Sequence, residues 1–282
     1  MKISVVIPTY NRYEVLKRAL SSVFAQSYLP SEVIVIDDGS TDATANIIHD
    51  FPSIIYRYQN NAGVSSARNL GISLCSHEWI AFLDSDDAWK EEKLALHVSL
   101  HQADKELLFS YTNEHWIRDG KQVKIPKKFQ KYGGDIFTQC LSHCIIAPSS
   151  AFVHKKLFEE IGLFDENLEV CEDYDLWLRV TCKHKAGLIE QAVTIKYGGH
   201  EDQLSTKHWG MDRFRVVALE KLLALHGKGS LHPRGTSHVR EDEVKNELVK
   251  KYTLLLKGAK KHQRLEDIQE YEKCLNAHST EY

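Results

Sequence analysis

The stretch WIAFLDSDDAW, residues 79–89, carries an apolar run straight into three carboxylates, Asp84, Asp86 and Asp87. A short apolar run bounded by polar residues reads as a buried strand, here over residues 78–84. Like charges this close repel one another, and each costs free energy to desolvate. A divalent cation at the strand end relieves both problems. Hard oxygen ligands in small number suit Mg²⁺ or Mn²⁺, with water and phosphate oxygens completing the shell. The plainer reading is a solvated acidic turn, with Asp87 capping a helix that starts in KEEKL, residues 90–94.

The neighbouring segments extend the pattern. ISVVIP (3–8), EVIVID (32–37) and IIYRYQ (54–59) read as three more strands. Between them, Val15, Ala19 and Val23, with Leu16, Leu20 and Phe24 beside them, give a helical stripe. GSTDATANII (39–48) reads as a helix start with Ser40 or Thr41 as cap, NNAGVSSARNLGISL (60–74) as a loop entering a helix, and residues 90–101 as a helix. Strand–helix alternation with short connections predicts an α/β fold with a mostly parallel central sheet flanked by helices. Ligands of such sheets bind beyond the carboxyl ends of the strands. Thr9-Tyr10-Asn11, Asp37-Asp38 and the 84–87 acids all fall there, so three strand ends converge on one crevice.

Beyond residue 105 the pattern changes. Residues 107–125 suggest a hairpin turning at Asp119-Gly120. CIIAPSSAFVH (144–154) reads as a strand, residues 155–168 as a short helix and turn, 171–180 as a helix and 188–197 as a late strand. From about residue 206 the chain reads as helical, broken by a loop over 226–238. The expected organisation is a domain over 1–205, divided near 104–105, and a helical extension over 206–282.

Bulk properties remove several classes. The 282 residues are 43% hydrophobic and 27% charged, as in ordinary globular proteins. A net charge of −3 provides no field for nucleic acid. No apolar stretch approaches the roughly 20 residues that span a bilayer. The expected location is cytoplasmic, with peripheral association at the inner face of the membrane and a homo-oligomer both compatible with the sequence. Six scattered cysteines predict reduced thiols. Cys140, His143 and Cys144 lie close together, but no second ligand pair at zinc-finger spacing follows, so buried thiols are the preferred reading. Residues 248–265, LVKKYTLLLKGAKKHQRL, fit an interfacial helix or a packed one, with packing favoured. KIPKKFQKYGG (124–134) reads as a solvated loop before it reads as a surface for an anionic acceptor or a membrane.

VVIPTYNRYEVLKRALSSVFAQSY, VIVIDDGSTDAT, NNAGVSSARNLGI and WIAFLDSDDAW, taken in order, resemble the successive signatures of family 2 glycosyltransferases of the GT-A fold. The resemblance continues in GLFDENLEVCEDYDLWLRV (162–180) and, more weakly, in YGGHEDQLS (197–205). It implies inverting transfer of a sugar from a nucleotide-diphosphate donor, UDP first, to a hydroxyl of a glycan or lipid-linked acceptor, in surface polysaccharide or glycan biosynthesis. The 1–104 half would bind donor and the 105–205 half acceptor. By position, Pro8, Thr9 and Tyr10 match the loop that cradles base and ribose, and Asp38 the acid that bonds the base. Arg68 matches a residue of the nucleotide pocket, Asp84 the acid near the ribose and Asp86 the ligand of Mn²⁺ or Mg²⁺. Asp173 matches the general base, Glu172 and Trp177 its neighbours on the acceptor side. His200 falls where many members carry a polar residue near the diphosphate or metal.

Elementary chemistry agrees with this division. An inverting displacement needs one carboxylate to take the acceptor proton, charge neutralisation at the leaving diphosphate, and alignment of the two substrates. Acids at 84–87 and at 172–175 could divide the first two tasks. Each also has a plain structural reading: Asp37 as a cap, Tyr10 as a packed aromatic, Arg68 in a surface pair, His97 and His101 as surface or packing residues, and Asp175 as a support. The competing functions are a nucleotidyltransferase, which would usually carry a glycine-rich basic loop after its first strand, and a non-catalytic nucleotide-sugar-binding protein, which would lack the acidic pairs.

Overall fold

The structure, a computed structural model, describes residues 1–199, 210–227 and 237–279. Its centre is a nine-stranded sheet in the order β3-β2-β1-β4-β8-β6-β9-β5, with β7 paired to β6. The strands are β1 (Ile3–Thr9), β2 (Glu32–Asp37), β3 (Ile55–Tyr58), β4 (Trp79–Phe82), β5 (Ala88–Trp89), β6 (Phe109–Arg118), β7 (Lys121–Val123), β8 (Phe152–His154) and β9 (Gly187–Gly198). The first four run parallel, as expected. Beyond them the sheet is mixed: β8 opposes both β4 and β6, β6 runs parallel to β9, and β5 opposes β9.

Burial on both faces explains the continuous apolar strands. Ile3, Val5 and Ile7 of β1 pack with Leu16, Ala19, Leu20 and Val23 of α1 (Tyr13–Phe24). Val6, from the opposite face of β1, packs with Ala67 and Ile72 of α3 (Val64–Leu74). α3 lies so close to β1 that a Cβ at Gly71 would stand 2.3 Å from a Val6 methyl. The second helix is reduced to a 3₁₀ turn over 43–46 and one turn of α2 (Ile47–Asp50). Its cap is Asp42, not Ser40 or Thr41: Asp42 accepts the Thr44 amide, while Asn11 accepts the Thr41 and Asp42 amides.

The later chain departs from expectation at one strand. Residues 144–147 are irregular, Pro148–Ser150 form a 3₁₀ turn, and only β8 is extended. Pro148 has no N–H to give a ladder. The hairpin at Asp119-Gly120 is present, both residues adopting positive φ (48° and 71°), as its tight turn requires. Helices α4 (Lys93–Ala103), α5 (Phe137–Ser142), α6 (Lys156–Ile161) and α7 (Glu172–Lys183) flank the sheet. His97 and His101 of α4 are buried against Phe152 and both meet Ser110 Oγ, at 2.8 and 2.7 Å.

The chain then runs through α8 (Asp212–Gly227), α9 (Ser237–Lys261) and α10 (Leu265–Ser279). Leu219 and Leu222 of α8, Leu248, Tyr252 and Leu255 of α9 and Tyr271 of α10 join the same core as α7. The 248–265 segment therefore packs inward, leaving Leu254 and Leu265 exposed. Among the described residues no helix is long and apolar enough to cross a membrane.

Gly71→Ala should overfill the α3–β1 contact, because Val6 is buried and its short side chain cannot swing clear. The expected loss is ~1–3 kcal/mol in urea unfolding. Stability within a few tenths of wild type would mean that the helix shifts without strain.

Candidate active site

The turn after β4 delivers Asp84, and α3 delivers Arg68 to meet it. Arg68 Nη2 donates to Asp84 at 2.8 Å, and its Nη1 donates to Glu172, the first residue of α7, at 2.7 Å. Arg68 is only 3% exposed, and its contact with Glu172 lies out of water, while the Asp84 side chain keeps 25% of its surface at the cleft. Burial alone would raise the Asp84 carboxyl, but Arg68 outweighs it and holds the group below its ordinary range. At Glu172 the balance is reversed: burial and the neighbouring Asp173 push the carboxyl up to about 7 against the pull of Arg68.

Asp86 pairs with Arg12 at 3.0 Å, and Arg18 donates to the Asp86 carbonyl oxygen at 2.5 Å. The Arg18 guanidinium also stacks 3.7 Å over Tyr197. Asp87 is not a helix cap. It is buried, accepts the Ser149 hydroxyl at 2.6 Å and the Tyr197 amide at 3.1 Å, and thereby ties the end of β9 to the acidic turn. Ser149 also accepts the Asp84 amide, so the 148–150 turn holds the acids from behind.

The strand ends of β1 and β2 form a second part of the site. Asp37 accepts the Ser40 amide and the Tyr56 hydroxyl, which makes it the turn residue. Asp38 accepts from Gln59 Nε2 at 2.6 Å and from the amides of Ala62 and Gly63, both at 2.9 Å. Its carboxylate therefore shapes the loop leading into α3. Thr9 is buried with its hydroxyl unpartnered among the described residues, while Tyr10 is 47% exposed. Trp177 is 1% exposed and stacks on Phe109 at 5.1 Å, inside the core and away from the cleft. Residues 173 and 177 share one side of α7, but Trp177 stands a turn further along the helix, which carries it past the cleft and into the core. His200 lies outside the described residues.

A cleft of about 620 Å³ runs along these strand ends. Pro8, Arg68, Asp84, Asp86, Glu172 and Asp173 line it together; Thr9, Tyr10, Asp38 and Trp177 are not among its walls. Asp173 accepts the Tyr174 amide and, among the described residues, makes no ion pair. Three features escaped the sequence reading. Lys196 of β9 faces Glu114, Asp87, Asp84 and Asp173, whose charge outweighs its burial and holds the ammonium firmly protonated. Lys131, from the segment read as a solvated loop, bonds Glu114 at 2.6 Å inside the cleft wall. Cys144 and Cys171 also line the cleft; burial first, then Asp173 beside them, pushes both thiols up, Cys171 to about 12. Alternation along β9 and β6 is the one signal that could have turned Lys196 and Glu114 inward.

The donor set suits a divalent ion. Among the described residues no three His, Cys, Asp or Glu side chains converge as a ligand cage. Asp86 nevertheless stands at the cleft with hard oxygens, and Asp84 spends one oxygen on Arg68. An ion held through one or two carboxylates, with phosphate oxygens and water supplying the rest, fits this arrangement.

Residues 4–162, more than half of the chain, match the model of "Glycosyl transferase family 2". The chain belongs to that family. An uncharacterised glycosyltransferase of Rickettsia conorii is 34% identical over 197 residues, 68% of this chain but 32% of that protein. The chain thus spans about a third of the length of that relative. The "UDP-Glc:alpha-D-GlcNAc-diphosphoundecaprenol beta-1,3-glucosyltransferase WfaP" of Escherichia coli is 31% identical over 208 residues, 72% of this chain and 79% of that one. Among solved structures, S. aureus TarS in complex with UDP superposes with a TM-score of 0.63 at 17% identity, covering 99% of this chain and 91% of that chain. The mannosyltransferase PcManGT from Pyrobaculum calidifontis, in complex with GDP-Man and Mn²⁺, gives 0.60 at 18% identity, covering 98% and 86%. The fold is therefore the GT-A fold of family 2.

Two outcomes follow from the Arg68 bridge. Arg68→Ala strands the buried Glu172 and the partly buried Asp84 and should cost about 3–5 kcal/mol in denaturant unfolding. A loss under ~1 kcal/mol would mean that water reaches both acids. Glu172 titrates higher folded than unfolded, so its contribution to stability is full below its unfolded value and is lost as pH rises through about 7. Glu172→Gln should remove that decline, and the two stability–pH curves should diverge between about pH 5 and 8. Parallel curves would mean that Arg68 keeps Glu172 ionised throughout.

Proposed function

We propose that the chain is an inverting glycosyltransferase that moves a sugar from a nucleotide-diphosphate donor, UDP-linked first, to an acceptor hydroxyl in cell-surface polysaccharide or glycan synthesis. One observation carries the reading: Asp84 and Asp86, gathered by Arg68 and Arg12, share a single cleft with an acid free of ion pairs among the described residues, Asp173. The names of WfaP and of the TarS complex favour UDP; the PcManGT complex keeps GDP in play.

Each residue then has a task. Asp173 takes the proton as the acceptor oxygen forms its bond to the anomeric carbon. The bond from that carbon to the diphosphate breaks, and its electron pair leaves with the nucleotide. Lys196 stands where that negative charge grows, fixed before the reaction by the surrounding acids. Mn²⁺ or Mg²⁺, when bound through Asp86, supplies further neutralisation of the diphosphate. Arg68 orients Asp84 and Glu172, and Asp38 acts by holding the 59–63 loop under the nucleotide. Pro8, Thr9 and Tyr10 bound the base and ribose. The donor side belongs to residues 1–104 and the acceptor side to 105–205, with 206–282 as a helical support.

Calorimetric titration with UDP, GDP and dTDP, each with Mn²⁺ and with EDTA, tests the donor half. One nucleotide should bind only with metal, and Asp86→Asn should abolish that dependence. Equal, weak heats for all three would sink the reading. Asp173→Asn should keep donor affinity and lower turnover at least ~100-fold. A near-normal rate would move the base elsewhere.

A further inference from the structure

The far end of the cleft, past Asp173, is lined by aromatic rings and cations that the donor chemistry does not use. Trp116 of β6 and Phe129 of the 127–129 turn lie with ring centroids 5.2 Å apart, tilted by 53°. The Lys128 ammonium stands 5.2 Å from the Phe129 centroid, and the Arg118 guanidinium 6.0 Å from Trp116. All four side chains line the cleft. Lys128 and Arg118 are exposed, and neither meets a carboxylate among the described residues.

Arg215, from the first turn of α8, adds a third cation. It pairs with Asp212 at 2.9 Å, but Lys251 claims the same oxygen at 3.1 Å. Its buried Nε has no hydrogen-bond partner among the described residues. His143, 5.9 Å from the Phe129 ring, is held below its ordinary value first by burial and then by Arg215, Lys128 and Lys251, so these cations converge. Arg215 also lies beside Cys144 and Cys171, the two thiols that flank Asp173. An excess of cations in a partly enclosed cleft gives nothing to a neutral glycan. It suits a phosphate, which a guanidinium fork grips and an ammonium neutralises. Tilted aromatic rings beside it offer a flat apolar face for a sugar ring.

We propose that this end of the cleft binds an acceptor whose accepting sugar carries a phosphate ester, the sugar against Trp116 and Phe129 and the phosphate among Lys128, Arg118 and Arg215. The proposal rests on the glycosyltransferase reading above. The same phosphate chemistry could belong to a lipid diphosphate or to a phosphate group without lipid.

The test fills the donor site with UDP and Mn²⁺ and then titrates glucose, galactose, mannose and N-acetylglucosamine, each as free sugar, as 1-phosphate and as decyl 1-diphosphate. At least one sugar should bind about tenfold more tightly, or better, when phosphorylated. Lys128→Ala should remove most of that advantage and leave UDP affinity unchanged; because Lys128 is exposed, the variant keeps its fold. A decyl diphosphate superior to the 1-phosphate identifies a lipid-linked source, and equal affinities identify the phosphate alone. Phosphorylated sugars that bind no better than free ones would overturn the proposal, as would an advantage that survives Lys128→Ala. If UDP itself fails to bind, the donor reading falls, and the phosphate preference is judged by the same criterion on the chain alone.

Discussion

The site depends on one guanidinium. Arg68 joins three separately folded pieces: its own helix, the turn after β4 through Asp84, and the start of α7 through Glu172. A buried Glu172 and a partly buried Asp84 this close call for a cation between them, and a planar, forked one reaches both. The acidic turn after β4 and the first turn of α7 are therefore mechanically one unit. Asp173 is placed by the same helix turn that Arg68 anchors, so the acids after β4 and those at the start of α7 are held in register by one side chain.

Around that unit the acids are partitioned by what they face. Asp87 turns inward and accepts from Ser149 and Tyr197, which makes it a fastener between the acidic turn and β9. Asp86 turns to the cleft and to Arg12. Adjacent residues in one turn thus take different roles, one hydrogen-bonded to the protein's own hydroxyl and amide and one paired with a guanidinium at the cleft. Asp37 and Asp38 repeat the division at the end of β2, although there both carboxylates are spent on the protein's own backbone and side chains.

The parallel half of the sheet was legible in the sequence because doubly buried strands must be apolar throughout, and because polar residues cluster where those strands end. The same logic set Asp84 and Asp86 at a strand end, while Pro8, Arg68, Glu172 and Asp173 followed only from the family resemblance; the structure brings all six to one cleft. It failed where local pattern and tertiary partner disagree. Residues 144–147 look like strand, but Pro148 and the side-chain bonds of Ser149 hold them irregular. Trp177 shares a motif with Asp173 but stands one turn further along α7, inside the core. Lys196 and Lys131 are ordinary lysines in sequence; pairing of β6 with β9, residues far apart in the chain, turns Lys196 toward the acids, and Lys131 reaches Glu114 of β6 from the segment after the 127–129 turn.

The two thiols beside Asp173 carry a chemical consequence. A cysteine reacts as its thiolate, and here burial and a neighbouring carboxylate both oppose ionisation. Cys144 and Cys171 thus behave as small apolar wall atoms in the most polar part of the cleft. Electrophiles that hunt reactive cysteines would pass through this cleft largely unspent, and mild oxidants would find little to attack beside Asp173.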